Sequence, residues 1–182
     1  MKFVEAPIHL PIHHANQSPA MNDQFVIRPA RPQDCAVLLH LVSSLAHYEK
    51  LSHLVVATEE RLRAELFAQP PVIEAVLGWQ GESAVGFALF FQNFSTFLAR
   101  RGLFLEDLFV EPAARGKGFG KALMRHLAQI AVARGCGRFE WAVLDWNQSA
   151  IDFYRSLGAD VLPDWRLVRV SGDVLSRLGA RE

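Results

Sequence analysis

The chain has 182 residues, of which 51% are hydrophobic and 21% charged, and this composition is typical of one folded globular domain. Basic and acidic residues both number 19, so no global field attracts the protein to nucleic acid or to an anionic membrane. Residues 1–20 lack the apolar stretch of a signal peptide and no apolar run is long enough to span a bilayer, which together predict a cytoplasmic protein.

The first half of the chain predicts a tail, two helices and three strands. Residues 1–24 show no periodicity and are interpreted as a mobile tail. A short strand at 25–28 precedes a helix that begins near Pro32 and ends at about His47. A second helix begins at Thr58. Three segments rich in β-branched and aromatic residues then predict an antiparallel meander, and they span 72–79, 83–91 and 103–110.

The second half predicts two helices alternating with two strands. Helical spacing follows Gly120 and stops near Gly135, and a strand is expected at 138–144. Asn147 caps another helix, and 165–170 is expected to form a last strand. The order β-α-α-β-β-β-α-β-α-β predicts an α/β fold in which helices flank one mixed, mostly antiparallel sheet. We expect one domain over 25–171, with 172–182 as a tail or short helix.

A glycine-rich turn between a strand and a helix is the most informative motif. It holds Arg115, Gly116, Lys117, Gly118 and Gly120. Such a turn, at the positive end of a helix, favours a phosphate or pyrophosphate, although the glycines alone are equally compatible with tight helix packing. The spacing excludes a P-loop, which needs Ser or Thr where Ala122 stands, and the dinucleotide fingerprint, which needs glycine where Lys121 stands.

Together with its flanking motifs, the turn resembles the GNAT superfamily of N-acetyltransferases. The acetyl-CoA signature of that superfamily, Arg/Gln-x-x-Gly-x-Gly/Ala, is present from Arg115 to Gly120. Further motifs resemble its diamine (spermidine/spermine) acetyltransferase branch in their order along the chain. They are FVIRPA at 25–30, Tyr48-Glu49, VGFA at 85–88, LED at 105–107, Trp146-Asn147, Phe153-Tyr154 and WRL at 165–167. The resemblance spans about residues 25–170.

The resemblance implies direct transfer of acetyl from acetyl-CoA to a primary amine, without an acyl-enzyme. The backbone of Leu108, Phe109 and Val110 is then expected to hold the pantetheine arm and to polarise the thioester carbonyl. The pyrophosphate is expected against Arg115, Gly116, Lys117, Gly118, Phe119, Gly120 and Lys121. Asn147 is expected to contact the cofactor from the start of the following helix.

The resemblance also assigns the proton transfers. An alkylamine with a pKa of about 10.4 arrives protonated, so a group near the acetyl carbon must help to remove the proton. Glu106 matches the family carboxylate that binds the amine and acts through water, whereas strand alternation predicts that Asp107 points to the opposite face and is structural. Tyr154 matches the family tyrosine that protonates the departing thiolate; the alternative is one more aromatic residue on an apolar helix face.

Three more residues match positions that line the amine site of the family: Tyr48, Glu49 and Glu140. For Tyr48 and Glu49 the alternative is an exposed helix end. Relatives specific for polyamines place an Asp and a Trp where this chain has Thr96 and Leu98. Fewer anions should weaken the binding of a long polyamine and favour a smaller diamine or a thialysine-like amino acid.

Three functions remain open from the sequence. They are acetylation of a small-molecule amine, acetylation of a protein lysine or N-terminus, and non-catalytic sensing of acyl-CoA. The histidines show no ligand spacing, so no metal is expected, and Cys35 and Cys136 are expected to be reduced thiols. The resemblance implies a homodimer.

Overall fold

A computed structural model describes residues 24–180. The tail predicted at 1–24 therefore lies, except for its last residue, outside the described part of the chain. The strands are β1 (Phe25–Pro29), β2 (Glu74–Gln80), β3 (Ser83–Ser95), β4 (Arg100–Val110) and β5 (Arg138–Trp141). The α-helices are α1 (Cys35–Tyr48), α2 (Glu59–Leu66), α3 (Phe119–Ala133), α4 (Gln148–Ser156) and α5 (Gly172–Leu178). The described residues form two compact units, which divide after Trp141.

The five strands of the first unit form one sheet in the order β1-β2-β3-β4-β5. The first four strands pair antiparallel with their neighbours along the chain, and β5 pairs parallel to β4 after a crossover through α3. This arrangement confirms the predicted α/β fold with a mixed, mostly antiparallel sheet.

The start of α1 is fixed by a buried carboxylate. Pro32–Asp34 form a short 3-10 turn that leads into the helix, as the proline predicted. Asp34 accepts hydrogen bonds from the backbone N–H of Arg31 at 2.8 Å and from Nη1 of Arg28 on β1 at 2.7 Å. Burial raises the pKa of Asp34, but the hydrogen bonds and charges of the two arginines outweigh burial and lower that pKa below its ordinary value.

Helix α1 buries its apolar stripe on the sheet. Leu38 and Leu41 are fully buried in one cluster with Phe87 and Leu89 of β3 and Phe109 of β4. The spacing in α1 is helical and the spacing in β3 is two, so each element presents one apolar face to the other. Through Phe109 this cluster packs against the C-terminal end of β4.

Helix α3 carries a separate group of buried residues. Leu123, Met124, Leu127 and Ala131 recur at helical spacing, and α3 contacts four of the five strands. Along β3, Ala88 and Phe90 are buried between the residues that pack on α1. Alternation along a strand places them on the other face of the sheet. Helices therefore cover both faces.

The second unit contains α4 and α5. Asn147 caps α4 as predicted, since its Oδ1 accepts a hydrogen bond from the backbone N–H of Ala150 at 3.2 Å. The strand predicted at 165–170 is wrong. This segment belongs to none of the strands of the described chain, and its side chains are exposed. Its pattern suits a strand, but a strand also needs a neighbour for its backbone hydrogen bonds. Among residues 24–180, no helix has the length and apolar character needed to cross a bilayer.

Candidate active site

A β-bulge lies in β4 at the predicted catalytic carboxylate. In the pairing of β3 with β4, Leu89 is opposite Asp107 and Phe90 is opposite Leu105, so Glu106 is the extra residue. A bulge interrupts the alternation of side chains and re-aims them. The prediction that Asp107 points away from Glu106 rested on regular alternation, and that premise is wrong here.

Beyond the bulge, β4 has a strand neighbour on one side. Its pairing with β5 ends at Leu105 and Trp141, whereas its pairing with β3 continues to Val110. The second edge of 106–110 therefore pairs with no strand in the described part of this unit. Such an edge presents backbone N–H and C=O groups to an extended ligand, as another strand would. The predicted pantetheine residues Leu108, Phe109 and Val110 all lie on this edge.

The turn after β4 adopts the backbone conformation that its glycines permit. Gly116 and Gly118 have φ angles of 78° and 81°, which lie in the left-handed region. Gly118 is the N-terminal cap of α3 and provides no side chain to satisfy the first N–H groups of the helix. Those N–H groups and the positive end of the helix dipole are the features that favour binding of an anion. Gly120, in contrast, lies inside the first turn of α3.

An aromatic stack holds the first residue of α3. The ring of Phe119 lies 4.0 Å from the ring of Phe25 on β1, at an interplanar angle of 5°. The Phe25 ring in turn lies against Gly78 of β2, where an added Cβ would clash with the ring at Cζ. The stack therefore requires a glycine at 78, and it links the start of α3 to the edge of the sheet.

Arg115 contacts both the end of β4 and the end of α1. Its Nε donates a hydrogen bond to the carbonyl oxygen of Val110 at 2.9 Å. Its guanidinium carbon lies 4.3 Å from the ring centroid of Tyr48 and 5.6 Å from that of Phe109. These distances are within the range of cation–π attraction. Lys117, the second cation of the turn, lies 3.4 Å from Oε1 of Gln80 through its Nζ.

Three carboxylates interact at the bulge. Burial raises the pKa of Asp107 to about 6, and the negative charges of Glu106 and Glu49 add to that effect. Burial also raises the pKa of Glu49, which follows directly after α1. Glu106 itself is exposed. The three carboxylates therefore form an anionic cluster in which the ionised form of Asp107 is disfavoured. A cationic ligand would reduce the repulsion between the carboxylates and stabilise that ionised form.

The sequence profile of the Acetyltransferase (GNAT) family matches residues 42–159. The chain belongs to the GNAT family of acetyltransferases. It is an acetyl-CoA-dependent N-acetyltransferase, as the signature at Arg115 and the flanking motifs led us to expect.

Relatives of the acetyltransferase cover nearly its whole length. A thialysine N-epsilon-acetyltransferase from Mus musculus is 37% identical over 166 residues, which span 85% of this chain and 97% of the relative. An L-ornithine N5-acetyltransferase from Arabidopsis thaliana is 34% identical over 198 residues, spanning 84% and 86% respectively. A solved structure of an integron cassette protein from V. cholerae superposes with a TM-score of 0.73 at 27% identity, covering 86% of this chain and 98% of its own.

Glu140, which was predicted to line the amine site, contacts two polar side chains of the sheet. Its Oε2 lies 2.7 Å from Nε of Arg138 and accepts a hydrogen bond from Nδ2 of Asn93 at 3.1 Å. Its charge is thus balanced by a cation on the same strand. The cluster at the bulge does not include it.

The other predicted residues lie in the second unit or at the hairpin between β3 and β4. Tyr154 is half-buried on α4, with its ring 5.3 Å from that of Phe153. It remains the predicted acid, and Asn147 remains a predicted cofactor contact. Thr96 and Leu98 are exposed on the hairpin turn. Among residues 24–180, no three His, Cys, Asp or Glu side chains are arranged to hold a metal ion.

Two features of the site were missed by the sequence reasoning. It did not anticipate that Asp107 interacts electrostatically with Glu106 and Glu49, and it did not connect Arg115 with Tyr48. The adjacent acids in LED were the available signal for the first. The second joins residues far apart in the chain, and no local pattern reports it.

Proposed function

We propose that this acetyltransferase transfers the acetyl group of acetyl-CoA to the terminal amino group of a short diamine or basic amino acid, of the kind represented by thialysine and ornithine. The observation that carries the proposal is the anionic cluster at the bulge, directly beside the free edge of β4. An acyl donor aligned on that edge and a cationic amine held by the cluster would meet at one point of the strand. The names of the relatives support the same class of acceptor.

The donor binds along β4 and the turn that follows. The pantetheine arm pairs with the backbone at 108–110, and one of those N–H groups polarises the thioester carbonyl. The pyrophosphate binds the N–H groups at the start of α3, with Arg115, Lys117 and Lys121 supplying positive charge. Asn147 contacts the cofactor as the resemblance implies.

The acceptor loses its proton at the bulge. Its ammonium group is attracted by Glu49, Glu106 and Asp107, and Glu106, which is exposed, passes the proton to water. The neutral amine then attacks the thioester carbon. When the tetrahedral intermediate collapses, the carbon–sulfur bond breaks and Tyr154 donates a proton to the leaving thiolate. The remaining extra proton on the attacking nitrogen is lost through solvent and restores the Tyr154 hydroxyl.

Acceptor length is limited at the β3–β4 hairpin. Thr96 and Leu98 carry no charge, and the neighbouring Arg100 and Arg101 are exposed cations. A second or third ammonium group of a long polyamine would find no carboxylate there. Short acceptors with one or two cationic groups are therefore favoured over spermine.

Thiol release tests the proposal with an acceptor panel of thialysine, ornithine, putrescine, spermidine, spermine and lysine-containing peptides. We expect turnover with short amines and weaker turnover with spermine. Glu106→Gln should lower kcat/KM for the amine, most strongly at low pH, and the matched variant Glu82→Gln, at an exposed turn of the same unit, should not. Acetylation of peptides alone would indicate a protein acetyltransferase, and acetyl-CoA binding without any turnover would indicate a sensor.

The proposal extends to assembly and location. A homodimer formed through the C-terminal segment is supported by large exposed apolar side chains there, including Leu167 at 78% and Val168 at 87% exposure. Leu167→Asp should yield monomers in light scattering, whereas Val132→Asp, at a site on α3 that is 79% exposed, should not. The free thiols of Cys35 and Cys136 fit a cytoplasmic location, which cell fractionation tests.

A further inference from the structure

Arg115 joins the two halves of the proposed site. It belongs to the turn assigned to the pyrophosphate, yet the face of its guanidinium covers Tyr48, with 4.3 Å between the guanidinium carbon and the ring centroid. Tyr48 is the last residue of α1, and the next residue is Glu49 of the anionic cluster. One side chain therefore contacts the donor side and supports the acceptor side.

The geometry of a guanidinium allows both roles at once. Its face stacks on an aromatic ring, while its N–H groups donate in the plane. In this protein the face lies on Tyr48, and Nε donates to the carbonyl oxygen of Val110 at 2.9 Å. The two terminal amino groups donate no hydrogen bond to the described residues of this chain, so they are available to a phosphate.

We propose that Arg115 is a positioning residue that couples the binding of the two substrates: when the cofactor pyrophosphate accepts hydrogen bonds from its in-plane groups, the guanidinium fixes the ring of Tyr48 and with it the acceptor end of the site. This inference rests on the proposed function. Both Arg115 and Tyr48 are partly exposed to solvent, Tyr48 at 36%, so their cation–π attraction is weaker than that of a buried pair. Such a contact corresponds to a coupling of about two- to fivefold. By linkage, each substrate tightens the other by the same factor.

Calorimetry with coenzyme A, which carries the pyrophosphate but no acetyl group, tests the coupling without turnover. In the unmodified protein, saturating coenzyme A should lower the Kd of thialysine by about two- to fivefold. Arg115→Lys, which keeps the charge but loses the planar face, should bring this ratio to about one, and so should Tyr48→Leu. Tyr48→Phe keeps the ring and should keep the ratio. Lys117→Met, in the same turn, should weaken coenzyme A but leave the ratio intact.

A spectroscopic readout separates this inference from the proposed function. The chain contains two tyrosines, so incorporation of 3-fluorotyrosine gives two fluorine resonances, and Tyr154→Phe assigns them. Coenzyme A should shift the Tyr48 resonance in the unmodified protein and leave it in place in Arg115→Lys. If thialysine does not bind, the proposed acceptor class fails while this shift still decides the coupling. A thialysine ratio that persists in Arg115→Lys, or a Tyr48 resonance that coenzyme A does not move, would overturn the inference.

Discussion

Replacement of Asp107 by asparagine should stabilise the protein while impairing it as an enzyme. Asp107 lies half-buried at the bulge beside Glu106 and Glu49, and the folded protein raises its pKa from the ordinary value of 3.8 to about 6. The folded state therefore holds this proton more tightly than the unfolded state does. The contribution of Asp107 to stability is complete below the unfolded pKa and is lost as the pH rises through the folded pKa.

The magnitude follows from the two pKa values. The difference between the folded and unfolded pKa values corresponds to about 3 kcal/mol, since each pKa unit is worth about 1.4 kcal/mol. At about pH 8 the ionised carboxylate thus lowers the free energy of unfolding by about 3 kcal/mol, a loss that asparagine avoids. At about pH 5 the gain should be roughly half as large, and at about pH 4 it should be about 0.5 kcal/mol.

Urea denaturation followed by tryptophan fluorescence, repeated from about pH 4 to pH 8, measures this difference. Glu82→Gln removes an exposed charge of the same unit and serves as the control. Asp107→Asn should also reduce the rise in melting temperature that a bound amine produces, because the variant lacks the repulsion between carboxylates that the amine would relieve. A stability difference between Asp107→Asn and the unmodified protein that does not change with pH would show that the raised pKa of Asp107 does not destabilise the folded state.

Three further substitutions test other parts of the structure. Asp34→Asn should destabilise the protein by about 3 kcal/mol at neutral pH, and because its pKa is lowered the loss should shrink as the pH falls, which denaturation at two pH values measures. Gly78→Ala should push the ring of Phe25 off Phe119 and raise KM for acetyl-CoA several-fold at nearly constant kcat; an unchanged KM would show that the stack does not hold the turn. Tyr154→Phe should lower kcat about a hundredfold or more without weakening acetyl-CoA, and equal turnover in single-turnover assays would remove Tyr154 as the acid.

The fold could be predicted largely because its determinants are local. The helix starts were predicted from single residues: Pro32 before α1 and the caps Thr58 and Asn147. The structure shows the first of these caps directly, since Thr58 Oγ1 accepts a hydrogen bond from the N–H of Arg61 at 3.3 Å. The meander follows from short connections between strands of β-branched and aromatic residues. The strand predicted at 165–170 was wrong because strand formation is not a local property. The residue pattern suits a strand, but it does not specify a neighbouring strand to pair with.

The site was predicted less completely, since its decisive features depend on pairing. The bulge at Glu106 is a property of how β3 and β4 align, and neither strand alone encodes it in a readable form. It changes the relation of Glu106 to Asp107 and with it the electrostatics of the acceptor end. The contact between Arg115 and Tyr48 joins the glycine-rich turn to the end of α1, and single-sequence patterns do not report contacts between residues so far apart in the chain.

A competition experiment tests whether the enzyme transfers acetyl from acetyl-CoA to a short amine held by the anionic cluster. The enzyme is incubated with acetyl-CoA and an equimolar mixture of thialysine, ornithine, spermine and a lysine-containing peptide, and the acetylated products are quantified by mass. Our proposal predicts that acetylated thialysine or acetylated ornithine forms first and that Glu106→Gln suppresses the formation of this product. Acetylated peptide or acetylated spermine as the main product would contradict it.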